Sequence, residues 1–229
     1  MNDNLESFLH VRQQFDNNIL NQSMYKKTSH TSTYFPNKVD NLFWCIFVHV
    51  FSLEEYLQIE SKYTNRAIEE KMKVVQYIQK NVTCMKPMKI TKIDSQTMIG
   101  DILTNEKITL FSLNALSIYY KLHIYVVCQK NKTYIEYNNS LETMSVCIIY
   151  KNTTLTNEKI TNYSVDLNVT DIMINIIRSD FVKYETYNRI IKNISNYKRI
   201  ELEKILQKMG IEKTNKMSKQ DIFDIVINV

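Results

Sequence analysis

The order of apolar patterns along the chain predicts an α+β fold: a helical N-terminal half with a small antiparallel β-meander, followed by a C-terminal helix–loop–helix. Helical spacing of apolar residues dominates residues 4–121. Three β-rich segments then follow one another closely within residues 123–150. Helical spacing returns after residue 169 and is strictest after Tyr197. Helices, then strands, then helices are typical of the α+β class.

The N-terminal half is predicted to contain helices separated by polar or proline-containing breaks. An apolar stripe indicates a helix over residues 4–21, and the polar residues 22–39 are expected to form a loop. Asp40 is a favourable N-cap, so a buried helix should begin there. The clearest amphipathic helix covers residues 66–80, with one apolar face formed by Ala67, Ile68, Met72, Val75 and Ile78. Two further helices are predicted near residues 95–104 and 108–121.

The predicted strands cover residues 123–128, 133–137 and 146–150, with a weaker fourth strand near 160–165. Asn131 and Lys132 form a turn between the first two strands, and Asn138 and Asn139 break the pattern before the third. Short strands separated by such turns indicate an antiparallel meander. Two more helices are expected at residues 169–178 and 186–195.

The last part of the chain carries the most regular pattern. Leu202, Ile205, Leu206 and Met209 recur at helical spacing, and Gly210 follows where a helix C-cap requires a positive φ. A polar loop leads to Ser218, and Asp221 three residues later predicts a capping box at the start of a second helix.

Three parts of the chain are therefore predicted: an N-terminal helix and polar loop (1–38), an α+β core domain (39–185) and a helical module (189–229). The whole chain has a net charge of +5. Residues 189–229 hold nine basic and five acidic residues, so the module carries +4 of that charge. A positive charge concentrated on a small module indicates a polyanionic partner.

The cysteines and the N-terminus indicate a protein that is not secreted. Residues 1–14 lack the apolar segment of a signal peptide, so the four cysteines are expected to be reduced. No cysteine pair has zinc-binding spacing, and neither a metal nor a cofactor is predicted. The longest apolar run, Leu42–Phe51, is too short to cross a bilayer, so no membrane partner is expected.

The C-terminal module resembles the SAP motif family. The matching residues are Leu202, Leu206, Gly210, Ile211, Lys219, Ile222 and Val226. SAP motifs bind DNA or RNA through basic residues of the loop and the second helix. The resemblance implies that phosphates meet Lys213, Lys216 and Lys219, with Lys198 and Arg199 at the entry to the module, and that DNA is favoured over RNA. Such lysine–phosphate contacts are salt-sensitive and largely independent of sequence.

The apolar segment from Asp40 to Phe47 contains the motif Leu-Phe-Trp-Cys at residues 42–45. This segment, with Pro36 in register, is similar to one in an uncharacterised protein family of nucleocytoplasmic large DNA viruses. The similarity continues through residues 69–73, 104–108 and 123–137 and through the C-terminal module. It implies a protein of the viral factory in the host cytoplasm or of the virion, where viral structural proteins are further partners.

The same segment is also similar to papain-like and OTU-like cysteine proteases, in which a nucleophilic cysteine begins a buried helix. That resemblance implies Cys45 as nucleophile and His123 as base, on a degenerate papain/OTU-like core. The pattern departs from the family because no glycine precedes Cys45 and no histidine follows His123. His49 lies one turn from Cys45 on the same helix and cannot serve as a separate base. Core packing is therefore the favoured interpretation of Cys45.

Three functions remain as hypotheses. The first is a non-enzymatic, viral nucleic-acid-associated or virion protein that binds DNA or RNA through its basic module. The second is a cysteine protease or deubiquitinase that uses Cys45. The third is a capsid or scaffold protein whose module contacts only protein. Salt-dependent DNA binding separates the first from the third, and reaction of Cys45 with a ubiquitin-based or peptide electrophile supports the second.

Overall fold

The computed structural model describes residues 33–83, 85, 90–138, 145–155, 159–212 and 217–228, with the backbone alone at 153–155 and 159–161.

The first described helix begins where the sequence places its cap. The Asp40 carboxylate accepts a hydrogen bond from the Phe43 N–H at 3.4 Å, which confirms the predicted N-cap. Helix α1 spans Asn41–Phe51, and its first eight residues are buried. The helix predicted at residues 4–21 lies outside the described residues.

The described chain consists, in order, of a helical half, a sheet and a second helical part, so the α+β class is confirmed. The remaining helices are α2 (Leu53–Gln58), α3 (Tyr63–Lys80), α4 (Lys92–Thr104), α5 (Leu113–Tyr119), α6 (Asp171–Asp180), α7 (Arg199–Lys208) and α8 (Lys219–Ile227). The strands are β1 (Thr33–Tyr34), β2 (Leu122–Cys128), β3 (Thr133–Asn138), β4 (Ser145–Leu155), β5 (Lys159–Asp166) and β6 (Val182–Lys183).

The described strands form one mixed sheet in the order β1-β5-β4-β2-β3-β6. Strands β2 and β3 are antiparallel, whereas β4 lies on the other side of β2 and runs parallel to it. The predicted antiparallel meander is therefore wrong. Strand β2 is an almost continuous apolar run, which is typical of a central strand whose two faces are both covered. The outer edge of β3 is paired with β6 instead.

Alternating side chains of the sheet contribute to two separate cores. Ile124 and Val126 of β2 and Cys147 of β4 pack with helices α1–α5 on what we call the helical face. Tyr125 and Val127 point the other way and pack with α6 on the α6 face. The position of a residue in its strand thus decides which layer of the protein it meets.

A third apolar cluster lies within the C-terminal part. It contains Leu202, Leu206 and Met209 of the α7 segment together with Ile222 and Val226 of α8. Val182, Ile190 and Ile191 complete this cluster. The described residues nevertheless belong to one compact unit, Ser32–Val229, so the division between 39–185 and 189–229 stays a prediction.

The apolar face predicted for residues 66–80 is only partly correct. Ile68 and Met72 are 55% and 40% exposed, whereas Glu70 is 1% exposed. The burial of Glu70 is stabilised by its partners. Lys73 Nζ lies 2.7 Å from Glu70 Oε1, and the Tyr120 hydroxyl donates to Glu70 Oε2 at 3.1 Å. Hydrogen-bonded, paired carboxylates of this kind are the ones that proteins tolerate in the interior.

The helix predicted at residues 186–195 is wrong. The short strand β6 ends just before this segment. The segment itself contains an isolated bridge between Thr186 and Arg189 and leads into a single 3₁₀ turn at Ile194–Asn196. Ile190 and Ile191 are both buried, although adjacent residues of a helix point in different directions. Tertiary burial of this pair overrides the local helical pattern.

A second buried ion pair lies at the amino end of α1. Asp40 Oδ2 is 2.5 Å from Lys71 Nζ, and the two side chains are 6% and 12% exposed. Asp40 Oδ1 also accepts from the Ile108 N–H at 3.2 Å. Burial raises the pKa of Asp40, and the charge of Lys71 opposes that rise. The pair joins α1 to α3 and to the segment before α5.

None of the helices among the described residues is both long enough and apolar enough to span a bilayer.

Candidate nucleic-acid interface

The C-terminal module contains a helix that ends in a hydrogen-bonded glycine cap. Gly210 has φ +73°, the left-handed conformation that glycine adopts without strain. Its N–H donates to the Gln207 carbonyl at 3.0 Å, and the Ile211 N–H donates to the Leu206 carbonyl at 3.1 Å. These two bonds form the Schellman arrangement, which directs Ile211 back onto the apolar cluster. The predicted C-cap at Gly210 is therefore confirmed.

The second helix of the module begins with the predicted capping box. The Ser218 hydroxyl accepts from the Asp221 N–H at 3.2 Å, and the Asp221 carboxylate accepts from the Ser218 N–H at 2.7 Å. Ile222 and Val226 of this helix are fully buried against Leu202 and Leu206 of α7. The module is thus a helix–loop–helix whose own apolar residues hold its two helices together.

The predicted phosphate-binding residues that the structure describes lie at two separate places in the module. Lys198 and Arg199 are exposed at the amino end of α7, and Lys219 is the first residue of α8. Arg199 Nε donates to Glu203 at 2.8 Å, so its charge is partly balanced within the helix. Lys213 and Lys216 lie outside the described residues.

Two basic residues, Lys132 and Lys208, contact Phe181, and Arg178 and Lys183 flank it in the chain; we call these four residues the Phe181 cluster. Lys208, at the carboxyl end of α7, donates from Nζ to the Phe181 carbonyl at 3.3 Å. Lys132 Nζ lies 5.0 Å from the centroid of the Phe181 ring. Phe181 therefore contacts one basic side chain from α7 and one from the turn before β3.

Glu136 of β3 fixes the other two members of the cluster. Its Oε1 accepts from Arg178 at 3.2 Å, and its Oε2 accepts from Lys183. His123 Nε2, 2.8 Å from Glu136 Oε1, and the Tyr125 hydroxyl at 3.0 Å complete the network. Hydrogen bonding from His123 and then from Lys183 holds the pKa of Glu136 well below its ordinary range, against the opposing effect of burial. Glu136 is therefore a constant negative charge that orients two exposed cations.

No local pattern in the sequence indicates the Phe181 cluster. Its members come from the turn before β3, from α6, from β6 and from α7, and they are separated by up to 76 positions in the chain, from Lys132 to Lys208. Only the pairing of β3 with β6 and the packing of α7 beside Phe181 bring them together. A basic surface assembled in this way has no motif or spacing that a sequence pattern could detect.

The structure does not bring Cys45 and His123 together. Cys45 packs on the helical face with Cys147, whereas His123 stacks on Tyr125 with ring centroids 4.6 Å apart on the α6 face. The sheet separates the two side chains because residue 123 has the opposite orientation in β2 to residues 124 and 126. His49, one turn after Cys45, lies 3.0 Å from the Ser145 hydroxyl. The described residues thus lack the base that the protease hypothesis requires at Cys45.

Cys45 itself is fully buried, with no exposed surface. Burial, followed by the proximity of Cys147 and Asp40, raises the pKa of the Cys45 thiol well above its ordinary value. A nucleophilic cysteine needs the opposite shift and an accessible sulfur atom. Within the described part of the chain, moreover, no three His, Cys, Asp or Glu side chains form a group suited to a metal ion.

We expect thiol reagents to label Cys45 in the folded protein roughly 100-fold or more slowly than in the unfolded chain, because reaction requires local unfolding. The measurement is iodoacetamide labelling followed by peptide mass spectrometry. Cys128, which is half-buried, is the internal comparison and should react faster. Rapid, stoichiometric alkylation of Cys45 in the folded state would contradict this prediction.

Comparison with known proteins finds no family model, no curated sequence and no solved structure that matches this chain.

Proposed function

We propose that this protein binds nucleic acid, with DNA favoured over RNA, through its C-terminal helix–loop–helix. The observation that carries the proposal is that residues 189–229, whose two helices pack in one apolar cluster, hold +4 of the net charge of +5. Polyanion binding is the interaction that such a charge distribution favours most directly. The remaining residues supply a folded support for the module.

The geometry of the module supports this proposal. The Gly210 cap and the Ser218 capping box fix the ends of the two helices that flank the loop. Lys219 stands beside the loop on α8, as in the SAP arrangement that the sequence resembles. Rigid helices that present lysines beside a short loop hold phosphate contacts without base-specific hydrogen bonds, so the affinity should depend on salt much more than on sequence.

We expect simultaneous change of Lys213, Lys216 and Lys219 to glutamate to weaken duplex binding by about 100-fold or more at moderate salt. The reason is that each change removes a phosphate contact and adds repulsion. Fluorescence anisotropy over a salt series measures the affinity and its salt dependence. Circular dichroism and thermal unfolding show whether the variant retains the fold.

The matched control changes three exposed lysines of the helical half, Lys62, Lys80 and Lys92, to glutamate. It alters the net charge equally but leaves the module intact, so its affinity should stay within a few-fold of the wild-type value. Equal loss in both variants would reduce the effect to net charge alone. Wild-type affinity in the module variant would overturn the proposal.

The other two hypotheses make different predictions in the same experiments. A scaffold protein whose module contacts only protein would show no salt-sensitive binding to DNA or RNA. A protease would react at Cys45 with a ubiquitin-based or peptide electrophile, which the burial of that thiol opposes. In an infected cell, the proposed activity suits a nucleoprotein of the viral factory or the virion.

A further inference from the structure

We infer that the Phe181 cluster forms a second phosphate-binding surface, which extends the interface from the module onto the edge of the sheet. The inference rests on the proposed function and specifies where the nucleic-acid backbone runs. Its ligand class is a chain of phosphodiesters. The juxtaposition of Lys208 of α7 with Lys132 beside β3 carries the inference, because both ammonium groups contact Phe181.

The cluster has the charge that a phosphate surface requires. The cluster contains four cations, two in contact with Phe181 and two paired with Glu136, and Asp180 is a second carboxylate in the same segment of chain. Glu136 is 11% exposed and lies beneath Arg178 and Lys183, whose side chains are 50% and 54% exposed. Solvent therefore meets mainly the cations. Such a surface keeps an excess of about two positive charges over a small area, which raises the local concentration of anions.

The cations are also held in place before any ligand binds. Arg178 and Lys183 share the Glu136 carboxylate, and Arg178 also donates to the Tyr125 hydroxyl at 2.5 Å. Lys208 is anchored on a backbone carbonyl and Lys132 over an aromatic ring. Ordering these long side chains in the free protein reduces the conformational entropy lost on binding.

The position of the cluster gives the proposed interface its extent. Lys208 lies at the carboxyl end of α7, two residues before the Gly210 cap. A nucleic-acid backbone that reaches this end of α7 meets Lys208 and then, beside Phe181, the other members of the cluster.

The test replaces Lys132 and Lys208 with glutamine in the full chain, because these two lysines contact Phe181 and leave the Glu136 network untouched. We expect the variant to lose about tenfold in affinity for a duplex of about 20 base pairs, and its salt slope to fall by about two. Lys80→Gln with Lys92→Gln is the matched control and should keep the wild-type slope. Thermal unfolding of both variants checks the fold.

Lysine footprinting provides a second measurement that needs no variant. Acetylation of the wild-type protein with a hydroxysuccinimide ester, followed by mass spectrometry, should show that duplex DNA protects Lys132, Lys183 and Lys208 while Lys80 stays reactive.

A wild-type affinity and slope in the double glutamine variant, together with unprotected lysines, would overturn this inference and leave the proposed function standing. If the wild-type chain binds neither DNA nor RNA in a salt-dependent manner, the proposed function falls as well. Salt-sensitive binding to an acidic peptide but not to nucleic acid would also overturn the inference.

Discussion

Replacing Trp44 with alanine should lower the free energy of unfolding by about 3–5 kcal/mol, because it empties the largest side-chain position of α1 within the main core. Trp44 is 3% exposed. Its ring lies in edge contact with Phe47, Tyr56 and Tyr63, at centroid distances of 5.0, 5.5 and 5.3 Å. Such aromatic pairs add to the stabilisation that burial alone provides.

Urea and thermal unfolding, followed by circular dichroism, measure this loss; fluorescence is unsuitable because Trp44 is the single tryptophan of the chain. The melting temperature should fall by roughly 6–20 °C. Trp44→Phe keeps an aromatic ring and should lose less than half as much. Phe35→Ala is the matched control, since Phe35 is 44% exposed, and its effect should stay within about 0.5 kcal/mol. An unshifted melting temperature for Trp44→Ala would contradict the packing described for α1.

The second large effect is expected from Lys71→Met, which should cost about 3–5 kcal/mol at neutral pH by leaving Asp40 as an unpaired buried charge. Without the ammonium group at 2.5 Å, burial dominates and raises the pKa of Asp40 further above its unfolded value. An acid with a raised pKa in the folded state favours unfolding increasingly as the pH rises. The deficit should therefore be smaller at pH 5 than at pH 8.

The double variant Asp40→Asn with Lys71→Met is the decisive control for this pair. Asparagine retains an oxygen that can accept from the Phe43 and Ile108 N–H groups, and it is also a good N-cap. We expect it to recover most of the lost stability and to remove the added pH dependence. If the double variant is as unstable as the sum of the single changes, the two side chains do not interact as the structure indicates.

The local signals in the sequence predicted the parts of the fold that depend on neighbouring residues. Asp40 and Ser218 are side-chain caps, and Gly210 supplies the positive φ that its helix end requires. The turn at Asn131 and Lys132 between two β-rich segments likewise marks β2 and β3 as a hairpin. In each case the residues that interact lie within a few positions of one another or across one tight turn.

The features that the sequence did not predict depend on distant partners. The parallel pairing of β4 with β2 depends on which edge of the sheet each strand occupies. The burial of Glu70 depends in part on Tyr120, which lies fifty positions away and donates a hydrogen bond to it. Cys45 and His123 are kept apart because His123 lies on the face of β2 opposite to the face that contributes to the core around α1. For the candidate interface, the sequence indicated the charge of the module but not the Phe181 cluster, which joins four separate elements.

The shortness of the two outer strands bears on how this protein associates with copies of itself. Within the described sheet, β1 and β6 each contain two residues, and Lys183 on β6 adds a charge to that edge. Strand-by-strand growth of an intermolecular sheet needs a long, flat, uncharged edge as its template. We therefore expect β1 and β6 themselves to be poor templates for cross-β growth.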